Sequence, residues 1–287
     1  MMSGLVVGSI YAIIALSIVV VYKSTQVFNF AIGELLLLGA AFCYMFSAQL
    51  HMPTAIAVIG SIACAIVLAM LIQRFGLRPL IGQPILASLM ATLAIGSILA
   101  AIYVAFFGGP ILPLQFIVPT GSMTLGSMIV SKQLMWSFVA CIITLGIFTL
   151  FFKYTKFGLL MRATAENSQV ARAMGINAEQ TFMLAWLIAC LLALVGGLIL
   201  GNINGIGPHL SGIGIIAIPA VLLGGLDSVP GAVIGGLVLG VLQSTATGYL
   251  SPLVGVEMGE VFPFFILILI LIIRPYGLFG LQRIERI

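Results

Sequence analysis

Long apolar stretches, most of them long enough to cross a bilayer as helices, follow one another along this chain of 287 residues. A crossing takes about 20 predominantly apolar residues. Only 6% of the residues are charged, whereas a typical soluble domain has about 25%. So few charges could not cover the surface of a soluble protein. The sequence therefore excludes a soluble enzyme, a nucleic-acid-binding domain and a disordered chain, and predicts a protein embedded in a membrane.

Helix is the expected state of these stretches, because lipid offers no hydrogen-bond partner to a backbone amide. We predict an all-α, polytopic membrane protein of about eight to nine transmembrane helices, some short or broken, forming a single domain over residues 1–287. The stretch 213–225 is too short for a full crossing, so we expect a tilted part-span or one arm of a re-entrant hairpin. The candidate spans are 4–22, 31–50, 54–73, 85–107, 134–152, 182–203, 213–225, 231–250 and 257–273.

The positive charges predict the orientation. If the C-terminus is cytoplasmic, Lys132 is the one residue among eleven Lys and Arg that falls outside, and such an excess of cations is typical of the cytoplasmic side. Nine crossings then leave the N-terminus outside. The cations that fall inside are Lys23, Arg74, Arg78, Lys153, Lys156, Arg162, Arg172, Arg274, Arg283 and Arg286.

The segment 153–181 is the largest predicted cytoplasmic loop and the one long stretch that is not apolar. Its residues 159–174 have helical composition, and Gly175 followed by Asn177 is a candidate helix stop. One interpretation is an amphipathic helix that lies on the membrane surface. The other is a helix that docks on a cytoplasmic partner.

Glycine is concentrated late in the chain, with 16 of 33 glycines between Gly196 and Gly259. Pairs spaced four apart leave one helix face without side chains, so another helix backbone can approach closely. This spacing predicts close packing within the chain. A functional alternative is that these helices re-pack as a pathway opens. The pairs are Gly197 with Gly201, Gly231 with Gly235, and Gly236 with Gly240.

Glu34 stands at the start of the second span. An ionisable group at membrane depth is costly, which makes it a candidate functional residue. The alternative is an interfacial carboxylate near a helix N-terminus, where the helix dipole favours negative charge. The sequence leaves both open.

Sequence patterns for catalysis and cofactors are missing. The chain has no HExxH or paired Cys-x-x-Cys metal pattern, no phosphate-binding Gly-x-x-x-x-Gly-Lys-Ser/Thr loop and no Gly-x-Ser-x-Gly turn. We therefore expect no enzyme, no metal and no cofactor, but a passive conduit whose energy comes from elsewhere. A stand-alone secondary carrier or channel remains an alternative, although such carriers usually bind ions with several buried polar groups.

Several segments, in order, resemble the LivH type of branched-chain amino acid ABC importer permease, nearly from end to end. GLVVGSIYAIIALSIVVVY followed by VFNFAIGELLLLGA is similar to that family's opening, and FGLLMRATAENSQVARAMGIN is similar to its coupling loop. The other segments are RPLIGQPILASLMATLAIG, GGLDSVPGAVIGGLVLGVL and the terminal IIRPYGLFG.

The resemblance implies a permease subunit in the bacterial inner membrane that carries branched-chain or related hydrophobic amino acids into the cytoplasm. Its implied partners are a second, LivM-type permease, two ATPases of LivG and LivF type that bind the ATP, and a periplasmic or extracellular substrate-binding protein. Permeases of this family for urea, short amides or other amino acids are the alternative.

The resemblance also implies site residues. Val170-Ala171-Arg172 stands where the family's coupling motif has Glu-Ala-Ala. The candidate coupling residues are Arg162, Ala163, Glu166, Ala171, Gly175 and Asn177. The candidate pathway residues, polar or small and close to helix breaks, are Asn29, Gly33, Glu34, Thr92 and Gln243.

Overall fold

The computed structural model describes residues 2–80, 82–114, 121–125, 128–166, 168–254, 258–274 and 277–280. Within these ranges the chain is predominantly helical, as predicted, with one short β-hairpin. The helices are α1 (Met2–Thr25), α2 (Ile32–Tyr44), α3 (Thr54–Leu71), α4 (Ile85–Phe107), α5 (Lys132–Tyr154), α6 (Lys156–Glu166), α7 (Ser168–Ala173), α8 (Ala178–Asn204), α9 (His209–Ile216), α10 (Ile218–Gly224), α11 (Val229–Val254) and α12 (Met258–Ile273). A π-helical turn, Met45–Gln49, extends α2, and a second one, Ile72–Leu77, extends α3.

Seven helical stretches in the described ranges are long and apolar enough to cross a membrane. The predicted spans 213–225 and 257–273 correspond instead to shorter apolar helices, His209–Gly224 and Met258–Ile273. The 16 residues of α12 reach about 24 Å at 1.5 Å per residue, less than the ~30 Å of a hydrocarbon core. The seven long stretches are Ser3–Thr25, Ile32–Gln49, Thr54–Leu80, Ile85–Phe107, Lys132–Tyr154, Ala178–Asn204 and Val229–Leu253.

Helix α1 lies at the centre of the bundle, between α8 and α11. Glycines on both sides permit its close approach to α11. A Cβ placed on Gly8 would lie 2.8 Å from the carbonyl oxygen of Leu237, and one on Gly236 would meet the backbone of Ala12. The predicted close packing of the glycine-rich helices is thus confirmed at Gly236, whereas their re-packing during transport stays a prediction.

The short stretch predicted over 213–225 is two consecutive helices, α9 and α10, that meet at Ala217. Pro219 stands in the first turn of α10, where its missing amide hydrogen is tolerated, whereas inside one continuous helix it would remove a backbone hydrogen bond. Helix α9 packs on α2 and α10 packs on α11. The predicted part-span is therefore a broken helix.

The connection between α4 and α5 contains the hairpin, with β1 (Ser122–Leu125) antiparallel to β2 (Met128–Ser131). Residues 115–120 and 126–127 lie outside the described ranges. The loop is attached to the end of α8, because the Asn202 side-chain amide donates to the Leu114 carbonyl at 2.8 Å.

Several of the cations predicted to share one side lie together at one end of the bundle. Lys23 and Arg162 both lie over the Phe152 ring, each 5.6 Å from its centroid. Lys132 stands at the opposite end of α5 from Lys153. Arg283 and Arg286 lie outside the described residues.

Candidate functional site

The connection between α1 and α2 contains a buried amide. The Asn29 side chain is fully buried, and its Oδ1 accepts a hydrogen bond from the Ala31 amide at 3.0 Å. Its Nδ2 has no partner in the described part of the chain. A buried donor without a partner is costly, so this amide is available to a molecule that enters here.

Two other predicted pathway residues lie beside this connection. The Thr92 hydroxyl on α4 donates to the carbonyl of Phe28 at 3.1 Å. The half-buried Glu34, in the first turn of α2, faces α4, since a Cβ on Gly96 would lie 3.3 Å from its Oε2. Asn29, Glu34 and Thr92 thus all lie around the contact between the start of α2 and α4, and we call these three residues the α2–α4 cluster. Glu34 lies in the first turn of α2, as the interpretation of a carboxylate near a helix N-terminus expects, and it is also half-buried, as the interpretation of a functional residue at membrane depth expects.

Gly33 and Gln243 lie elsewhere. Gly33 is the contact point of α2 with α9, because a Cβ there would meet the Ser211 carbonyl oxygen. Gln243 on α11 donates through Nε2 to the Gly259 carbonyl at the start of α12. Its Oε1 is buried without a partner among the described residues. The predicted pathway set is therefore divided between the α2–α4 cluster and two helix contacts.

The connection between α5 and α8 spans residues 155–177. It is shorter than the predicted inner loop 153–181, because α5 extends to Tyr154 and α8 begins at Ala178. The helix predicted over 159–174 starts earlier, at Lys156, and is divided into α6 and α7; residue 167 lies outside the described ranges. We call residues 155–177 the coupling segment.

Gly175 ends α7 as predicted. Its φ is +85°, its amide bonds the Arg172 carbonyl, and the Ile176 amide bonds the Ala171 carbonyl, both at 3.0 Å. This is the Schellman arrangement, which favours glycine. Asn177 has a different role from the predicted helix stop. It is the N-cap of α8, and its Oδ1 accepts from the Glu179 and Gln180 amides at 3.1 and 3.3 Å.

The remaining predicted coupling residues differ in exposure. Ala171 is buried, Ala163 is half-buried and Glu166 is exposed. Arg162 donates to the Lys153 carbonyl at 3.4 Å, which ties α6 to the end of α5. Next to the buried Ala171, Met174 is 79% exposed. The coupling segment thus has an inward face held by the bundle and an apolar side chain directed outward.

A cavity of about 450 Å³ lies between the end of α1, the α3–α4 connection, α7 and α8. Sequence reasoning missed it. Its polar lining includes Gln26, Gln73 and Gln83, and Arg172 belongs to its wall. The only available signal was that these three glutamines stand at the ends of apolar spans. The arrangement of amides, hydroxyls and one guanidinium is suited to binding a small molecule.

Comparison with known proteins gives full-length matches. The family model for the permease component of branched-chain amino acid transport systems matches residues 1–271. The chain is 32% identical over 304 residues to the high-affinity branched-chain amino acid transport permease protein LivH of Salmonella typhimurium, covering 100% of this chain and 96% of that protein. It is 30% identical to BraD of Pseudomonas aeruginosa, with coverage of 100% and 97%. A probable LivH of Methanocaldococcus jannaschii is 30% identical, with coverage of 97% and 91%.

Proposed function

We propose that this chain conducts branched-chain or related hydrophobic amino acids into the cytoplasm, because it belongs to the family of permease components of branched-chain amino acid transport systems. It is the multi-pass membrane permease subunit of an ABC importer. The observation that carries the proposal is 30–32% identity along the whole length to permeases named for this transport. The seven long apolar helices of the described part agree with it.

Permeases of ABC importers work with ATPases and a substrate-binding protein. We propose in particular a second, LivM-type permease beside this chain, LivG- and LivF-type ATPases at its inner end, and a binding protein that delivers substrate from outside. ATP is then bound by the ATPases and this chain needs no cofactor. The lack of any phosphate-binding loop in its sequence supports this division of labour.

The C-terminus is proposed to be cytoplasmic and the N-terminus external. The support is the group of cations at one end of the bundle, where Lys23, Arg162 and Lys153 lie close together with the coupling segment. Cations are retained preferentially on the cytoplasmic side of a membrane. The coupling segment then faces the compartment that contains ATP.

In the proposed mechanism, movement of the ATPases displaces α7, and the displacement reaches α8 through Gly175 and Asn177. Helix α8 packs on α1 and α2, so its movement alters the surroundings of the α2–α4 cluster. Packed helices that switch between two arrangements are a common means of opening a passage. The pathway roles of Asn29, Gly33, Glu34, Thr92 and Gln243 are proposals of this mechanism.

The test is to co-express the chain with the genes adjacent to its own, purify the complex and reconstitute it in vesicles with the binding protein. We expect leucine, isoleucine or valine to stimulate ATP hydrolysis and to accumulate in the vesicles. Urea and acetamide test the other substrates of the family. Accumulation by vesicles that contain this chain without ATPases would contradict the proposal and favour a stand-alone carrier.

A further inference from the structure

The cavity beside α7 is formed by five separate parts of the chain. The end of α1 contributes Thr25, the α3–α4 connection Gln73, α4 Ser88, α7 Arg172 and α8 Trp186. Its volume of about 450 Å³ falls in the range of small-molecule sites, roughly 300–1,000 Å³. It is distinct from the α2–α4 cluster, none of whose three members lines it.

Two polar side chains in its wall make no hydrogen bond to the described part of the protein. Gln73 is only 3% exposed and Ser88 only 6%. Both groups line the cavity, so their polar atoms are free to bond a molecule bound there.

The lining also defines the chemistry of that molecule. Arg172 is the single ionisable residue among those that line the cavity. A guanidinium is suited to bidentate pairing with a carboxylate. Apolar side chains make up much of the remaining wall, including Leu77, Phe182 and Trp186. The complementary molecule has a carboxylate at one end, a further polar group within reach of neutral amides, and an apolar body.

We propose that this cavity binds a free α-amino acid with an apolar side chain at the cytoplasmic end of the permease. The carboxylate pairs with Arg172, Gln73 and Ser88 bond the polar head, and the side chain lies against Trp186. The inference rests on the proposed function for the identity of the amino acid and for the side of the membrane. Its own evidence is the cavity, the two unpartnered groups and the guanidinium.

Arg172 belongs to α7, so the bound amino acid would connect the coupling segment to α4 and to the α3–α4 connection. Accumulated product could then restrain the movement of α7. The site is thereby a sensor of the internal amino acid concentration. Saturating leucine inside the vesicles is expected to slow ATP hydrolysis by the wild-type complex, but to have less effect on a complex that carries Gln73→Leu.

Binding can be measured on this chain alone. The sequence has two tryptophans, Trp136 and Trp186, so a Trp136→Phe background leaves Trp186 as the single reporter inside the cavity. The full chain in lipid vesicles is titrated with L-leucine while tryptophan fluorescence is recorded. We expect a saturable change. L-leucinol, which lacks the carboxylate, should bind roughly tenfold or more weakly, as for the loss of a charged hydrogen bond.

Two variants test the location. Gln73→Leu removes the amide with little change in volume and should weaken leucine binding at least tenfold, in line with the value of a hydrogen bond to a charged group. Ser88→Phe fills the cavity and should also weaken leucine binding at least tenfold. Gln49→Leu and Ser97→Phe are the matched controls, since both residues are exposed and outside the cavity. Neither control should alter binding.

Equal binding by wild type and both cavity variants would overturn the inference, and so would the absence of a saturable signal or equal binding of leucinol. A phospholipid that co-purifies stoichiometrically with wild type but not with Ser88→Phe, identified by native mass spectrometry, would also overturn it. These results leave the proposed function unaffected when uptake by the complex is intact. Leucine binding without any uptake by the complex would contradict the proposed function alone.

Discussion

The Arg78 guanidinium and the Glu179 carboxylate form an ion pair of 2.8 Å between the connection after α3 and the first turn of α8. Both side chains are about half exposed, and pairs of this kind contribute about 0–1 kcal/mol. We expect a double-mutant cycle of Arg78→Gln and Glu179→Gln, measured by thermal unfolding, to give a coupling free energy below about 1 kcal/mol that decreases with added salt. A salt-independent coupling well above that range would show that the pair is buried in the assembled protein.

Thr92→Val should destabilise the chain by about 1 kcal/mol, because it removes the donor to the Phe28 carbonyl while keeping the side-chain shape. Thr92→Ser retains the hydroxyl and is the control. The measurement is the thermal unfolding of each variant in the same detergent. If valine and serine behave alike, the hydroxyl does not hold α4 against the α1–α2 connection.

Gly33→Ala should destabilise the chain by about 1–3 kcal/mol, as expected for overpacking, because the added Cβ would meet the Ser211 carbonyl. Gly146→Ala, in α5, is the matched control, since nothing lies within 4 Å of its Cβ position. Alanine is favoured over glycine in a helix by up to about 1 kcal/mol, so this control should be neutral or stabilising. Equal melting temperatures would contradict the close α2–α9 contact.

Gly175→Val should reduce the stimulation of ATP hydrolysis by substrate while leaving membrane insertion intact. Valine at a φ of +85° is strained by about 1–3 kcal/mol, so the end of α7 would reorganise. Asparagine tolerates this conformation, and Gly175→Asn should keep most of the stimulation. Full stimulation of ATP hydrolysis in the valine variant would show that coupling does not depend on the backbone conformation at the end of α7.

Glu34→Gln should lower leucine uptake by the complex severalfold without altering its amount in the membrane, because it removes the single carboxylate of the α2–α4 cluster. Glu260→Gln is the control, since Glu260 is an exposed carboxylate in the first turn of α12. Uptake is measured with radiolabelled leucine. Unchanged uptake in Glu34→Gln would show that its charge is not needed for passage.

Helix bounds were predictable where the sequence contains explicit stops. The predicted span 85–107 coincides with α4 because Pro84 precedes it and Gly108, at φ +74°, ends it. Helix α8 begins at Ala178, four residues before the predicted span, because its first turn is polar; Asn177 is its N-cap and not part of a helix stop. Hydropathy alone does not reveal a helix that begins before its apolar part.

The site was less predictable than the helices. The helix stop at Gly175 was predictable from glycine's preference for a positive φ, and the structure places it at +85°. The cavity could not be foreseen, because Gln73 and Arg172 are almost one hundred residues apart in sequence and meet only through tertiary packing. Likewise, Gln243 looks similar to Asn29 in sequence, but it bonds to α12 and not to the α2–α4 cluster.

The connection between α7 and α8 has almost no slack. One residue, Ile176, separates the glycine that ends the first helix from the asparagine that caps the second. The Gly175 and Ile176 amides bond back to α7, and the Asn177 side chain accepts from the first turn of α8, which leaves the connection little freedom to bend. A displacement of α7 would therefore be passed to α8, a helix of 27 residues that packs on α1 and α2, as the proposed coupling requires.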